Sequence, residues 1–227
     1  MIEIPIPVSG KYRPLFNSDN RYIYLHGGRG SGKSFAVALF VAGLSYQPQH
    51  KILFTRYTVT SASKSIIPEF VEKLELCQVI DDFHITRDTI TNKKTGVEII
   101  FSGIKTSSGN QTANLKSLQG ITTWIYEEFE EHPDENSFDQ IDLSVRQKNT
   151  QNRIVLISNA LHRDSWQYKR FFESPRDTEH IYTTYLDNMD NLNEQFLSIA
   201  EHTKQTNLVK YNRNFLGHHY ENDDEAL

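Results

Sequence analysis

The chain has 227 residues, with 37% hydrophobic and 23% charged side chains and 24 aromatic phenylalanines and tyrosines (13 Phe, 11 Tyr). That is too apolar and aromatic for a disordered polymer, and long enough for one large domain with at most a small appendage. One cysteine, Cys77, excludes an internal disulfide framework and a multi-cysteine metal cluster, and the formal net charge of −5 argues against a broad basic face for nucleic acid. The charge is uneven: residues 1–120 carry 14 Lys and Arg against 9 Asp and Glu, and residues 121–227 carry 10 against 20. Contact with a polyanion is therefore expected to be local and in the first half. The longest apolar run, Phe35 to Leu44, is too short for a membrane span, and the N-terminus lacks the plan of a signal peptide, so a soluble intracellular protein is expected.

From residue 20, short β-prone runs alternate with longer amphipathic stretches, which predicts parallel strands joined by crossover helices. Tyr22–His26 reads as a first strand ending in a glycine-rich turn, followed by a helix from Gly32 to Tyr46 that Pro48 stops. Lys51–Thr55 reads as a second buried strand, and Ser63–Leu76 as a helix. Phe83–Thr91 and Val97–Phe101 read as the arms of a hairpin around Asn92–Gly96, and Lys93 and Lys94 at its tip, near Arg87 and Lys105, form the best basic patch. Ile121–Tyr126 is a strand closing in Glu127-Glu128, Asn136–Gln147 a helix, Arg153–Ser158 a buried strand and Ile181–Tyr185 the last strand. From Asn191 the chain reads as helical and polar, ending in an acidic tail. The nine histidines show no metal-ligand spacing and read as scattered surface groups.

Gly27-Gly28-Arg29-Gly30-Ser31-Gly32-Lys33-Ser34 satisfies G-x-x-x-x-G-K-[ST] between a predicted strand and a predicted helix. Glycines let successive amides turn inward around an anion, and the helix N-terminus adds its dipole. Lys33 is placed to reach the β- and γ-phosphates of a nucleoside triphosphate, and the Ser34 hydroxyl to ligate Mg²⁺. Arg29 is either an exposed loop cation or a group that stabilises charge on the transferred phosphoryl.

Such a site also needs a carboxylate for the water shell of the metal and one for the attacking water. Glu127 and Glu128, at the C-terminal end of an apolar strand, supply both: Glu127 on the metal through water, Glu128 on the nucleophile. Glu127 departs from the usual Asp by one methylene, and a solvated acidic turn shared with Glu130 and Glu131 is the bland alternative. Ser158 and Asn159 end the next strand, either beside the γ-phosphate or as a simple turn.

These segments together resemble a family. GGRGSGKS, TRYTVTSASKS (55–65), LKSLQGITTWIYEE (115–128), FDQIDLSVR (138–146), IVLISNA and YTTYLDN (182–188) occur in the order seen in large terminase subunits of tailed bacteriophages, from about residue 21 to 217. The resemblance implies an α/β P-loop NTPase of the additional-strand type, with a mostly parallel sheet flanked by helices. It implies an ATPase, using ATP and Mg²⁺, that drives double-stranded DNA into a procapsid as a homo-oligomeric ring on a portal protein, alongside a small terminase subunit, in the host cytoplasm. It also implies γ-phosphate sensing by Arg29, coupling of hydrolysis to movement by Ser158 and Asn159, and adenine contacts around Tyr12 to Asn20. For an arginine supplied by a neighbouring subunit, this chain offers Lys116, Arg146 or Arg56. The expected organisation is an ATPase domain over 1–188 and a helical linker with the tail over 189–227. No nuclease domain is expected in the 99 residues after Glu128, so the chain reads as an isolated motor domain. Two other functions fit the phosphate loop: a kinase transferring phosphate to a small acceptor, and a nucleotide-gated assembly module.

Overall fold

The computed structural model describes residues 8–58, 66–106, 109–110 and 119–221. In chain order the elements are helix α1 (Arg13–Asn17), strand β1 (Tyr22–Gly27), α2 (Lys33–Leu44), β2 (Ile52–Thr58), α3 (Ile67–Leu76), β3 (Phe83–Ile85), β4 (Thr89–Asn92), β5 (Glu98–Thr106) and β6 (Gly109–Asn110). There follow β7 (Thr123–Glu127), α4 (Glu135–Asp142), β8 (Arg153–Ser158), α5 (Trp166–Tyr168), β9 (Thr178–Thr183), α6 (Glu194–Thr206) and α7 (Leu208–Tyr211).

The strands form one sheet in the order β3-β4-β5-β2-β7-β8-β1-β9, with β6 paired to β5 off this path. The pairings among β5, β2, β7, β8, β1 and β9 are parallel, and the β3–β4, β4–β5 and β5–β6 pairings are antiparallel. Strand β8 lies between the phosphate-loop strand β1 and the acidic strand β7, which is the additional strand expected from the sequence.

Near-continuous apolar runs require cover on both faces of a sheet, and alternation then divides each strand between two cores. Ile23, Leu25, Ile52, Phe54, Ile125, Val155 and Ile157 pack on one side with α2 and α3. Tyr24, Leu53, Trp124, Tyr126, Ile154 and Leu156 pack on the other with Phe129, Phe138 and Phe171. Two covered faces leave polar groups only the strand ends, so the chemistry gathers at one edge. A third, small cluster joins Tyr185, Ala200, Tyr211 and Phe215 in the C-terminal part of the chain.

Several elements differ from expectation. Phe83–Thr91 is two strands, because Thr86 bonds Thr89 through both its amide and its hydroxyl and turns the chain back (2.9 Å each). The helix expected over Asn136–Gln147 starts one residue earlier, capped by Asp134, and stops at Asp142. It stops there because the Arg21 guanidinium takes the carbonyls of Asp142 (2.8 Å) and Val145 (3.2 Å) together with the Asp142 carboxylate. The last strand ends at Thr183, after which Thr184 and Asp187 form a capping box for a short turn. The helix expected from Ser63 begins at Ile67; residues 59–65 lie outside the described residues. The Lys94 ammonium is paired with Asp82 (2.6 Å), which neutralises part of the hairpin-tip patch.

The histidines are not simply surface groups. His26 on β1, His180 on β9 and His219 surround Phe172, with ring centroids 4.9, 4.8 and 4.4 Å from it. Each has one buried ring nitrogen without a hydrogen-bond partner among the described residues: Nδ1 of His26, Nδ1 of His180 and Nε2 of His219. Burial, then mutual repulsion, lowers the pKa of His26 to about 3; burial, then the nearby Arg163, His180 and His218, lowers that of His219 to about 4; burial lowers that of His180. A depressed folded-state pKa means stability that is complete above the unfolded value of 6.5 and is lost as pH falls below it. Thermal melts should therefore show Tm highest near neutrality and declining as pH falls below 6.5, with a shallower decline in His26→Gln; identical slopes in both proteins would contradict the assignment.

Candidate active site

The phosphate loop leaves β1 at Gly27 and enters α2 at Lys33, at the C-terminal edge of the parallel strands. Gly32, the N-cap of α2, stands at φ 86° and ψ 13°, a left-handed conformation that L side chains resist. Lys33 is 8% exposed. Its ammonium donates to the carbonyls of Gly27 and Gly28 (2.9 Å each) and to Ser31 Oγ (3.2 Å), and so holds the loop curled around it. Burial lowers the Lys33 pKa to about 8, against the opposing charges of Glu130 and Glu127.

Strands β2 and β7 run parallel with Thr55 opposite Tyr126, so the next residue on each, Arg56 and Glu127, fall side by side. Arg56 donates to one Glu127 oxygen through Nε (2.9 Å) and a terminal nitrogen (2.7 Å). The Ser34 hydroxyl donates to the other oxygen. One carboxylate thus ties the start of α2 to β7 and β2. Burial works against the Arg56 charge, but Glu127 and Glu128 outweigh it and raise its pKa.

Glu128 stands at φ 58° and ψ 43°, a left-handed geometry uncommon for a side-chain-bearing residue. The turn projects a half-exposed carboxylate 3.8 Å from Arg56, and burial raises its pKa. Ser158 ends β8 and Asn159 follows it, Ser158 sharing a hydrogen with the Tyr24 hydroxyl (3.0 Å) and Asn159 donating to Glu130 (2.6 Å). Lys33, Ser34, Arg56, Glu127, Glu128, Ser158 and Asn159, together with the exposed Arg29, line one cavity of about 400 Å³.

Of the three residues weighed for a neighbouring subunit's site, Arg56 sits in this chain's own cavity, ion-paired to Glu127. Arg146 is exposed and follows Val145, beside Arg21 at the opposite edge of the sheet, and does not line the cavity. Lys116 lies outside the described residues. Tyr12, from the segment expected to contact adenine, is 2% exposed; its hydroxyl donates to the Ser31 carbonyl (2.9 Å) beneath the loop. It lines a neighbouring cavity of about 410 Å³ that shares Gly32, Phe35 and Asn188 with the first.

Two residues that sequence reasoning did not single out complete the site. Asn188 donates to the Gly30 carbonyl (2.9 Å) from 158 positions away. Glu130, grouped in the sequence with an acidic turn, is the strongest opposing charge on Lys33, and burial raises its own pKa. Its separation from Glu128 by the apolar Phe129 was a signal, since Phe129 is fully buried and anchors the turn against the sheet.

The C-terminal segment presses on the loop from outside. The Arg29 amide donates to the Asn214 carbonyl (2.8 Å). A Cβ on Gly28 would lie 1.8 Å from the Phe215 carbonyl oxygen, and one on Gly217, which stands at φ +74°, would lie 2.3 Å from the Gly27 carbonyl carbon.

A loop lysine and a hydroxyl thus face two successive carboxylates across a mostly parallel sheet with an additional strand, the arrangement of a P-loop fold. Residues 19–218 match the family described as phage terminase large subunit, and the chain belongs to that family. It is 27% identical over 207 residues to the terminase large subunit of Bacillus phage SPP1, covering 85% of this chain and 47% of that protein. The chain thus spans about half the length of the curated relative it matches. Its fold is similar to that of the large terminase from a thermophilic bacteriophage, at TM-score 0.76 and 16% identity over 95% of this chain and 54% of that one. It is also similar to the large terminase ATPase domain of Thermus phage P74-26, at TM-score 0.64 and 16% identity over 92% of each chain.

The close approach of the C-terminal segment to the loop generates a stability test. Gly217→Ala forces a Cβ into the backbone of Gly27 at a strained φ, and should cost about 1–3 kcal/mol in chemical denaturation. Unchanged stability would mean that the two segments separate freely.

Proposed function

We propose that the chain is the ATP-hydrolysing motor domain of a DNA-packaging terminase, acting on double-stranded DNA as a ring on a portal, with the small terminase subunit as a further partner in the host cytoplasm. The observation that carries the reading is the convergence of Lys33, Ser34, Glu127 and Glu128 from β1, α2 and β7 on one cavity. A homologous fold, the large terminase of a thermophilic bacteriophage, has been solved in complex with ATP-γ-S (TM-score 0.70, 16% identity, over 93% of this chain and 52% of that one), which supports nucleotide as the ligand. Among the described residues, no helix is long and apolar enough to cross a membrane.

In this reading the base and ribose occupy the cavity beside Tyr12, Phe35 and Asn188, and the phosphates run over Gly32 into the loop. Lys33 turns its ammonium from loop carbonyls toward the β- and γ-phosphates. The Ser34 hydroxyl and the Glu127 carboxylate, already hydrogen-bonded to each other, fit Mg²⁺, which when bound would neutralise phosphate charge. Glu128 accepts a proton from the attacking water as its oxygen bonds to the γ-phosphorus and the bond to the ADP oxygen breaks. Arg29 offers its guanidinium to charge developing on the transferred phosphoryl. Asn159, held by Glu130, faces the same group and registers its departure. Arg146 and Lys116 remain the candidates for a residue supplied by a neighbouring subunit, since Arg56 is engaged within its own chain.

Glu128→Gln should lower the hydrolysis rate about 10²- to 10⁴-fold while ATP binding survives, and Lys33→Ala should weaken ATP binding itself, both read by calorimetry and phosphate release. Wild-type rates in the Glu128 variant would refute the assignment of the base. In sedimentation the domain alone should run mainly as a monomer and hydrolyse slowly, with strong stimulation by portal and DNA. A stable ring without those partners would contradict this.

A further inference from the structure

Beyond the phosphate loop lies another cavity, of about 280 Å³, which shares Arg29, Glu130 and Asn159 with the nucleotide cavity. Its far wall is Arg213, His162 and Ser165. The two cavities differ in charge. The first is lined by three cations (Arg29, Lys33, Arg56) and three carboxylates (Glu127, Glu128, Glu130), whereas the second has two guanidiniums (Arg29, Arg213) against Glu130 alone.

The donors of the second cavity are fixed in place. The Arg213 guanidinium lies 3.9 Å over the Tyr220 ring and donates to its hydroxyl (3.1 Å), which leaves further N–H groups of the fork unused. His162 Nδ1 accepts from the Asp164 amide (3.0 Å), so the ring hydrogen is on Nε2 and available to donate. Ser165 Oγ accepts from the Tyr168 amide (3.3 Å), leaving its own hydrogen free. On the shared wall, Glu130 Oε1 accepts from Asn159, but Oε2 is buried without a hydrogen-bond partner among the described residues. Such an atom is costly unless something pairs with it.

We propose that this second cavity receives the inorganic phosphate released by hydrolysis and holds it between Arg29 and Arg213 before it leaves. The inference rests on the ATPase reading above and adds to it a product site. The net-positive cavity draws the dianion away from ADP, past Asn159 and Glu130, by the side opposite the nucleoside. The roof of the cavity is the C-terminal segment, which is tied to the chain after β8 by Tyr220 N to Leu161 O (3.1 Å) and Arg163 N to Tyr220 O (2.8 Å). Phosphate arriving there bears directly on the segment that also presses on Gly27 and Gly28.

The test is calorimetric titration of the ADP-saturated chain with inorganic phosphate, in wild type, Arg213→Gln and Arg213→Lys. Wild type should take up phosphate, Arg213→Gln should bind it roughly tenfold more weakly, and Arg213→Lys should recover most of the loss. ADP affinity and Tm should be the same in all three. Equal phosphate binding by wild type and Arg213→Gln would overturn the inference, as would parallel loss of ADP and phosphate. If wild type binds ADP but no phosphate at millimolar concentration, only the product site fails. If it binds neither, the nucleotide reading fails with it.

Discussion

The Glu127 carboxylate is the joint on which this site turns. One oxygen takes the Ser34 hydroxyl and the other takes two nitrogens of Arg56, so a single side chain fixes the end of β7 to the start of α2 and to β2. The Glu127 and Arg56 side chains are nearly buried, where a carboxylate is tolerated only when paired and hydrogen-bonded. The pairing is affordable because the sheet register delivers Arg56 to Glu127 with no distortion of either strand. Remove that register and the acidic pair becomes the solvated turn that its composition suggests.

Around this joint the cavities form a continuous series. The cavity beside Tyr12 shares Gly32, Phe35 and Asn188 with the cavity around Lys33, which shares Arg29, Glu130 and Asn159 with the cavity beyond. Each shared wall is a place where occupancy on one side bears on the other. Both ends of the series are closed by C-terminal residues, Asn188 and Asn191 on one side and Arg213 to Tyr220 on the other. The C-terminal segment is thus built into the site, with the backbone of Phe215 and Gly217 packed against Gly27 and Gly28. A structural change in the loop has little freedom to stay local, because backbone packed against backbone does not deform continuously.

Burial of titratable groups follows the same division. The Glu128 and Glu130 carboxyls lose solvent and hold their protons more firmly, while Lys33 and the His26 cluster lose solvent and release theirs more easily. The cluster lies directly behind Gly27, packed among the aromatic rings around Phe172.

Much of this was legible in the sequence. GGRGSGKS could be placed between strand and helix because its glycines, lysine and serine act through backbone and short-range geometry, and the apolar strands because two covered faces demand unbroken runs. Glu127 and Glu128 could be read as a site because they close such a run. The tertiary structure alone decided what those carboxylates meet: Arg56 from 71 positions away, Asn188 over the loop, Glu130 turned inward behind Phe129, and three histidines gathered around one ring. The physical reason is that local sequence sets backbone form and the sign of each side chain, whereas partners are chosen by strand order and register. These bring together residues whose separation along the chain carries no trace of their contact.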